Sequence, residues 1–464
     1  MSFPDLESLF VKPSDSLRVA MDRIQVNAIR TDGRGTVLVV NESRRLLGVL
    51  TDGDIRRALL QGLTLEDAAS KAMSSSPITA TRGATRHQLL RLFDRGIRHL
   101  PIVDEEGHVL DLLLYSQLVV TPRNGPVVVR VKVPLRISFA GGGSDFAEHF
   151  EQHGGSVISV TIDRYCHGIL IKRDDKKIVL HSYDYGLRVE ADDPSELHYD
   201  GTLDLLKAVV KILKPSYGLE LYTYSDVLPG SGLGASAVMS VAVIGLFNEL
   251  GENRMDEYQI SDLAYQVERL ELGISGGWQD QYAASFGGFN FIEFGDKDIV
   301  VHPLRLKERV IDELESNLLL CFTGTTRNSG DVHTLNRNEA GPTGDVMEAR
   351  YQASQVALRI KNALMRGSLD QFGRLLDEAW RLKRQFGPGI TNQQIEMLYE
   401  AALGAGALGG KLLGAGCGGH ILFYCPGLKR QAVRESLERM GCQTLHFNFD
   451  FRGVRVWHST MDEI

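Results

Sequence analysis

The chain has 464 residues, 51 Lys+Arg against 59 Asp+Glu for a formal net charge of −8, and 43% hydrophobic and 24% charged residues. That length allows roughly three domains of ~150 residues, and the balance of apolar and charged residues is that of a globular protein. The acidic excess argues against a nucleic-acid partner, which calls for a basic face, and no apolar run approaches the ~18 residues needed to cross a bilayer.

The start, Met1-Ser2-Phe3-Pro4-Asp5-Leu6-Glu7, lacks the basic and apolar regions of a signal peptide. Cys166, Cys321, Cys417, Cys425 and Cys442 show no paired spacing and read as reduced thiols. A cytoplasmic protein with no membrane partner is expected.

The first 120 residues contain a duplication. Val37-Leu38-Val39-Val40-Asn41 precedes Leu47-Gly48-Val49-Leu50, and Leu100-Pro101-Ile102-Val103-Asp104 precedes Leu110-Asp111-Leu112-Leu113. The same offset of 63 residues separates Asn41 from Asp104 and Gly48 from Asp111. Each copy is predicted to run helix, strand, polar turn, strand, helix, and two such small units are expected to bury a shared face. The segment Leu46-Leu47-Gly48-Val49-Leu50-Thr51-Asp52-Gly53-Asp54 resembles the second strand and following helix of a cystathionine-β-synthase (CBS) motif. The resemblance implies a tandem CBS pair over 1–120, with copies at about 11–62 and 71–119. It implies contacts from Thr51 and Asp54 to the phosphate and ribose of an adenine nucleotide. In the second copy Leu114 and Gln117 stand at those positions, so one nucleotide site of that pattern is expected at most. Such pairs also serve as packing modules, which implies a homo-oligomer, a dimer in the first instance.

Thr121-Pro122-Arg123-Asn124-Gly125-Pro126 breaks any helix or strand and is predicted to be a linker, 121–127. From Val128 to the end, strands and helices alternate, consistent with one α+β unit of two lobes, 128–464.

Three glycine-rich segments punctuate this second part. The first is Pro134-Leu135-Arg136-Ile137-Ser138-Phe139-Ala140-Gly141-Gly142-Gly143-Ser144-Asp145. The second, Pro229-Gly230-Ser231-Gly232-Leu233-Gly234-Ala235-Ser236, leads from a polar extended stretch into an apolar run from Ala237 to Leu250. A glycine turn opening into a helix aims backbone N–H groups and the positive helix end at one point, which suits a phosphate. Its spacing is neither the dinucleotide fingerprint nor the Walker pattern. The third is Gly409-Gly410-Lys411-Leu412-Leu413-Gly414-Ala415-Gly416-Cys417-Gly418-Gly419, just ahead of a strand. Three such loops suggest convergence on one polyanionic ligand.

In this order the three segments resemble the motifs of the GHMP kinases, the family of galactokinase, homoserine kinase, mevalonate kinase and phosphomevalonate kinase. The likeness covers roughly Lys132 to the C-terminus. The stretch from Gly273 to Phe291 adds a particular likeness to the family's heptose 7-phosphate kinases. The resemblance implies ATP and Mg²⁺, with Pro229 to Ser236 as the triphosphate loop. It implies Ser236 and Glu268 as metal ligands, and Asp280 and Arg136 as catalytic residues, with Asp280 as the base. It also implies an acceptor pocket that includes Asp145, Gly142, Gly143, Gly416 and Gly418.

Read from the residues alone, Glu268 would be a solvated helix acid and Asp280 an N-cap for a helix over 281–286. Gly142 and Gly143 stand where galactokinase has larger residues, so a roomier pocket is expected there. A phosphorylated acceptor needs a second anion site. Arg327 is the first candidate, ahead of Arg381, Lys383 and Arg384 on a helix predicted over 369–385. The leading expectation is transfer of the γ-phosphoryl group to the anomeric hydroxyl of a heptose 7-phosphate. A kinase of another sugar or sugar phosphate, and a nucleotide sensor built on an inactive kinase fold, remain the alternatives.

Overall fold

The computed structural model describes residues 5–31, 35–93, 96–115, 127–326 and 343–459. It divides into two compact units, Met1–Asn124 and Gly125–Ile464. The expected linker, 121–127, lies outside the described residues except for Val127, and so do Arg327, Gln117 and the helix predicted after the second hairpin.

In the first unit each copy is a small three-stranded sheet. Thr36–Val40 pairs antiparallel with Leu46–Thr51 and parallel with Phe10–Val11. His99–Val103 pairs in the same way with Val109–Leu114 and Ala80–Thr81. Both hairpins carry an irregularity at equivalent places, Val39/Val40 and Ile102/Val103. The copies share a buried face of Leu9, Leu38, Val40, Val109, Leu112 and Leu114. Thr36 Oγ1 lies 2.6 Å from His99 Nδ1 across it.

Thr51 caps the helix Asp52–Leu60 in a capping box with Asp54. Asp54 Oδ2 accepts from the Thr51 backbone N–H at 3.0 Å and from Thr51 Oγ1 at 2.6 Å, while the Arg57 guanidinium lies 3.0 Å from Oδ1. At the second copy's equivalent of Thr51, Leu114 is buried in the shared core.

The second unit is built on the strand Gly155–Arg173, nineteen residues long. Along one edge it pairs antiparallel with Val128–Ala140. Along the other it pairs with Phe289–Phe294 over its first part and with Gly218–Ser225 over its last. A strand longer than its neighbours thus joins two lobes in one sheet. A second sheet has the order Gly409–Leu412, His420–Tyr424, Leu318–Phe322, Gln443–Leu445, all antiparallel.

The helix Ala235–Leu250 runs through the main core, buried at every position from Ala237 to Phe247. Apolar residues on all faces are what such a position requires. All five thiols are free and buried, and no helix among the described residues is long and apolar enough to cross a membrane.

Candidate active site

The three glycine-rich segments meet at one cleft of about 750 Å³ in the second unit. Arg136, on the strand Val128–Ala140 and almost wholly buried, ties the first segment to the second. Its backbone N–H donates to Leu233 O at 3.3 Å and its Nη1 to Gly232 O at 2.7 Å. The third segment lies against the second just as closely. His420 N donates to Ser231 O at 3.0 Å, and a Cβ on Gly414 would stand 2.5 Å from Gly232 Cα. Gly232 has φ +83°, and a Cβ there would meet Leu413 O at 2.9 Å. Glycine at 232 and 414 is therefore demanded by contact between the loops as well as by backbone angle.

Gly234, in the left-handed region, caps the helix Ala235–Leu250 without a side chain. The first N–H groups of a helix have no partner within it, so they remain available to an anion at this turn. Ser236 follows in the first helical turn, and its Oγ donates to Glu268 Oε1 at 2.7 Å. The other carboxylate oxygen of Glu268 accepts from Gln281 Nε2 at 2.6 Å. Glu268 is 1% exposed, so the reading of a solvated helix acid fails. The helix Glu257–Tyr265 passes into a π-helical turn, Gln266–Glu271, and this wider turn carries Glu268. Such turns recur at functional sites.

Asp280 lies in the first turn of the helix Gln279–Phe286, where Trp278 holds the cap position. The N-cap reading of Asp280 is thereby corrected. Its two carboxylate oxygens accept from Arg136 Nε and Nη2, each at 2.7 Å, in a bidentate pair. The neighbouring aromatics turn elsewhere. Trp278 stacks on Tyr265 with ring centroids 3.4 Å apart, and Tyr282 Oη donates to Asp262.

Asp145 is buried, and burial raises its pKa above the usual carboxylate value. The backbone N–H groups of Gly143, at 2.8 Å, and Gln279, at 3.1 Å, oppose that shift. Gly277 permits this approach, because a Cβ there would stand 2.0 Å from Asp145 Oδ2.

Two lysines complete the floor. Lys383 Nζ donates to Leu412 O at 2.8 Å and Gly414 O at 2.6 Å. Lys411 Nζ donates to Ser138 O at 3.0 Å. Burial, and then the neighbouring cations, depress both amines, Lys411 to about 7.

The GHMP kinase N-terminal and C-terminal domain profiles match residues 204–288 and 360–441, and the CBS domain profile matches 4–61 and 67–120. A D-glycero-alpha-D-manno-heptose 7-phosphate kinase of Campylobacter jejuni is 37% identical over 335 residues, which are 71% of this chain and 98% of that protein. The chain belongs to the GHMP kinase family. Among solved structures, a D-glycero-D-manno-heptose 1-phosphate kinase of Bacteroides thetaiotaomicron superposes with TM-score 0.60 at 32% identity, covering 71% of this chain and 98% of that one. A galactokinase of Lactococcus lactis shares the fold, with TM-score 0.58 at 21% identity over 71% of this chain and 95% of that one. As a GHMP kinase the protein is an ATP-dependent phosphotransferase acting on a hydroxyl group.

Of the residues expected from the sequence, Arg136, Gly142, Gly143, Asp145, Ser236, Glu268 and Asp280 all line this GHMP cleft. So do Pro229 to Ser236, except Leu233, which is buried beneath. From the third segment Gly414 and Ala415 face the cleft. Gly416 and Gly418 instead pack toward Ile390 and Thr325.

The roomier pocket expected at Gly142 and Gly143 is not found. A Cβ on Gly143 would meet the Phe386 ring at 2.7 Å, and one on Gly142 would meet Gln279 Nε2 at 3.0 Å. Those two side chains fill the space.

The expected helix over 369–385 is Leu369–Lys383 followed by a 3₁₀ turn, Arg384–Phe386. Of its basic cluster, Arg381 pairs with Asp377 and Arg384 with Glu396, while Lys383 alone enters the cleft. Sequence reasoning passed over Lys411 and Gln281, although a lysine inside a glycine-rich loop is a visible signal for the first. Arg350, another cleft residue, sits in a plain helix, Gly344–Arg366, with no motif around it.

Proposed function

We propose that the protein transfers the γ-phosphoryl group of ATP to the anomeric hydroxyl of D-glycero-D-manno-heptose 7-phosphate, giving the 1,7-bisphosphate. The bidentate Arg136–Asp280 pair carries this reading: Arg136 also donates to Gly232 O of the triphosphate segment, so the Asp280 carboxylate stands where the acceptor and triphosphate segments meet, in one cleft that also holds Ser236 and Glu268. The activity of the Campylobacter jejuni relative, a heptose 7-phosphate kinase, supports the choice of acceptor.

Phosphoryl transfer needs positioning and charge neutralisation more than covalent help from the protein. The second glycine segment and the N-terminal turn of Ala235–Leu250 would hold the triphosphate. Leu203, Leu206 and Met239 supply an apolar part of the cleft suited to adenine. The hard oxygens of Ser236 and Glu268 fit Mg²⁺, which takes oxygen ligands and completes its shell with phosphate and water. When bound, Mg²⁺ supplies neutralisation of phosphate charge. Asp145 would orient sugar hydroxyls, and Asp280 would accept the proton of the attacking hydroxyl. Arg136 fixes the direction of the Asp280 carboxylate.

The first unit is proposed as an adenine-nucleotide module at Thr51 and Asp54, in a cytoplasmic homo-oligomer.

An ATP-consumption assay over heptose 7-phosphate, heptose 1-phosphate, unphosphorylated heptose and galactose tests the assignment. The 7-phosphate is expected to give the highest kcat/KM. Preference for galactose or free heptose would overturn the acceptor. Tight ATP binding with no turnover on any sugar would favour the sensor.

A further inference from the structure

Several polar atoms of residues that line the cleft are buried and have no hydrogen-bond partner among the described residues. They are Ser138 Oγ, Ser231 Oγ, Gln279 Oε1, Arg269 Nε and Arg350 Nε. Buried polar atoms are ordinarily satisfied, and a concentration of orphans around one void marks where a polar ligand completes the structure.

The cations of the cleft differ in how far they are already engaged. Arg136 is taken up by Asp280 and Gly232 O. Lys383 and Lys411 are held on backbone carbonyls. Arg269 donates to Ile274 O at 3.2 Å and Gly277 O at 3.3 Å, and so braces the loop ahead of Asp280. Arg350 is different. Among the described residues its guanidinium has a single hydrogen bond, Nη1 to Glu148 Oε1 at 2.9 Å, and it lies 5.0 Å from the centre of the Phe146 ring.

Its side chain is 13% exposed, so a charge there is partly desolvated yet reachable. Phe146 and Glu148 come one and three residues after Asp145, the residue read as gripping sugar hydroxyls, and all three line the cleft. Buried His149 adds no second cation. Burial first, and then the charge of Arg350, hold its imidazole down at about 4.

We infer that Arg350 is the specificity-determining residue that holds the phosphate group already present on the acceptor sugar, with Glu148 occupying its fork until that phosphate arrives. This rests on the proposed sugar-phosphate acceptor and deepens it. A guanidinium fork matches a phosphate monoester by two parallel N–H···O bonds. A phosphate remote from the reacting hydroxyl would then settle on the wall that continues from Asp145. Glu148 makes the site selective. A neutral sugar has no charge with which to displace the carboxylate, whereas a phosphate dianion does.

The test compares kinetics on heptose 7-phosphate and unphosphorylated heptose for wild type, Arg350→Gln, Arg350→Lys and Glu148→Gln. Inorganic phosphate serves as a competing probe. For Arg350→Gln, KM for the 7-phosphate is expected to rise about 10- to 100-fold, the worth of one charged hydrogen-bonded contact. kcat, KM for ATP and the constants for free heptose should stay near wild type. Arg350→Lys should recover part of the loss. Glu148→Gln should act in the opposite sense, lowering KM for the 7-phosphate and tightening inhibition by inorganic phosphate.

A purely structural ion pair would instead lower the melting temperature in both variants and impair both sugars alike, and that result overturns the inference. So does an Arg350→Gln enzyme with unchanged KM for the 7-phosphate. A raised KM for ATP would reassign Arg350 to the nucleotide. If wild type turns over no phosphorylated sugar, the acceptor assignment itself falls and this inference falls with it.

Discussion

The two units hold their candidate ligand residues in opposite states. At Thr51 and Asp54 the polar groups satisfy one another. Both oxygens of Asp54 are in use, on Thr51 and on Arg57, in a helix-capping arrangement that would exist without any ligand. In the kinase cleft, buried charge is gathered beyond what the fold needs, with Arg136, Asp145, Glu268, Lys383 and Lys411 all nearly inaccessible. Polar atoms are left over beside them. Burying charge costs several kcal/mol per ion unless it is paired, so a site that accumulates it is shaped by a ligand. A capping box contributes about 1 kcal/mol to the helix alone, and its ligand role has to be shown separately.

The largest effect expected from this contrast is at Asp280. Asp280→Asn keeps the shape but removes the proposed proton acceptor and half of the charge pair with Arg136. kcat should fall about 10²- to 10⁴-fold, with ATP affinity close to wild type by calorimetry. Arg136→Gln should cost nearly as much, because residues acting as a unit are not additive. An Asp280→Asn enzyme within threefold of wild-type kcat would sink the assignment.

A pair of glycines sharpens the same contrast at intermediate size. Gly234 and Gly62 both have positive φ, +80° and +95°. Alanine at either position pays roughly 1 kcal/mol of backbone strain. At Gly62 a Cβ would meet nothing within 4 Å, whereas at Gly234 it would stand 3.2 Å from both Arg136 Cζ and Asp280 Oδ2. Gly62→Ala should therefore lower melting slightly and leave kcat alone. Gly234→Ala should lose on the order of tenfold or more in kcat by displacing the pair. Equal kcat in the two variants would remove the link between that turn and the Asp280 carboxylate.

Much of this was legible in the chain. The three glycine segments, the run into Ala235–Leu250 and the 63-residue repeat all declared themselves, because loop contacts and buried helices leave compositional marks. The Asp280 cap reading went wrong for a physical reason. Its partner, Arg136, is 144 residues away in the chain, and local propensity cannot see such a pairing. The space expected at Gly142 and Gly143 was filled by Gln279 and Phe386 from distant segments for the same reason. Arg350 left no signal because an arginine in an amphipathic helix is usually solvated, and only the packing of that helix against Ala147–His153 turns it inward.

Lys411 tests the electrostatic side of the contrast. Its folded-state pKa is depressed to about 7, chiefly by burial, against about 10.4 in an unfolded chain. Between those values the unfolded state binds the extra proton, so the contribution of this group to stability rises with pH across that window and is flat outside it. The slope is at most about 1.4 kcal/mol per pH unit. Thermal midpoints at pH 7 and pH 9 should separate less in Lys411→Met than in wild type. An identical pH dependence would mean that the amine stays protonated and hydrated in the folded protein.

The smallest expected effect is in the first unit. Asp54→Ala removes the capping box and the Arg57 contact, which should lower the stability of the helix Asp52–Leu60 by about 1 kcal/mol. Because both carboxylate oxygens are already engaged, a nucleotide at this position has to take over contacts that the helix start now uses, and its net affinity is reduced by that exchange. Binding of AMP by calorimetry in wild type, lost in Asp54→Ala, would show that the exchange occurs. A change in turnover or mass on adding AMP would then connect it to the kinase. If wild type binds no adenine nucleotide, Thr51 and Asp54 are a helix cap and nothing more, and the duplicated unit serves through its packing alone.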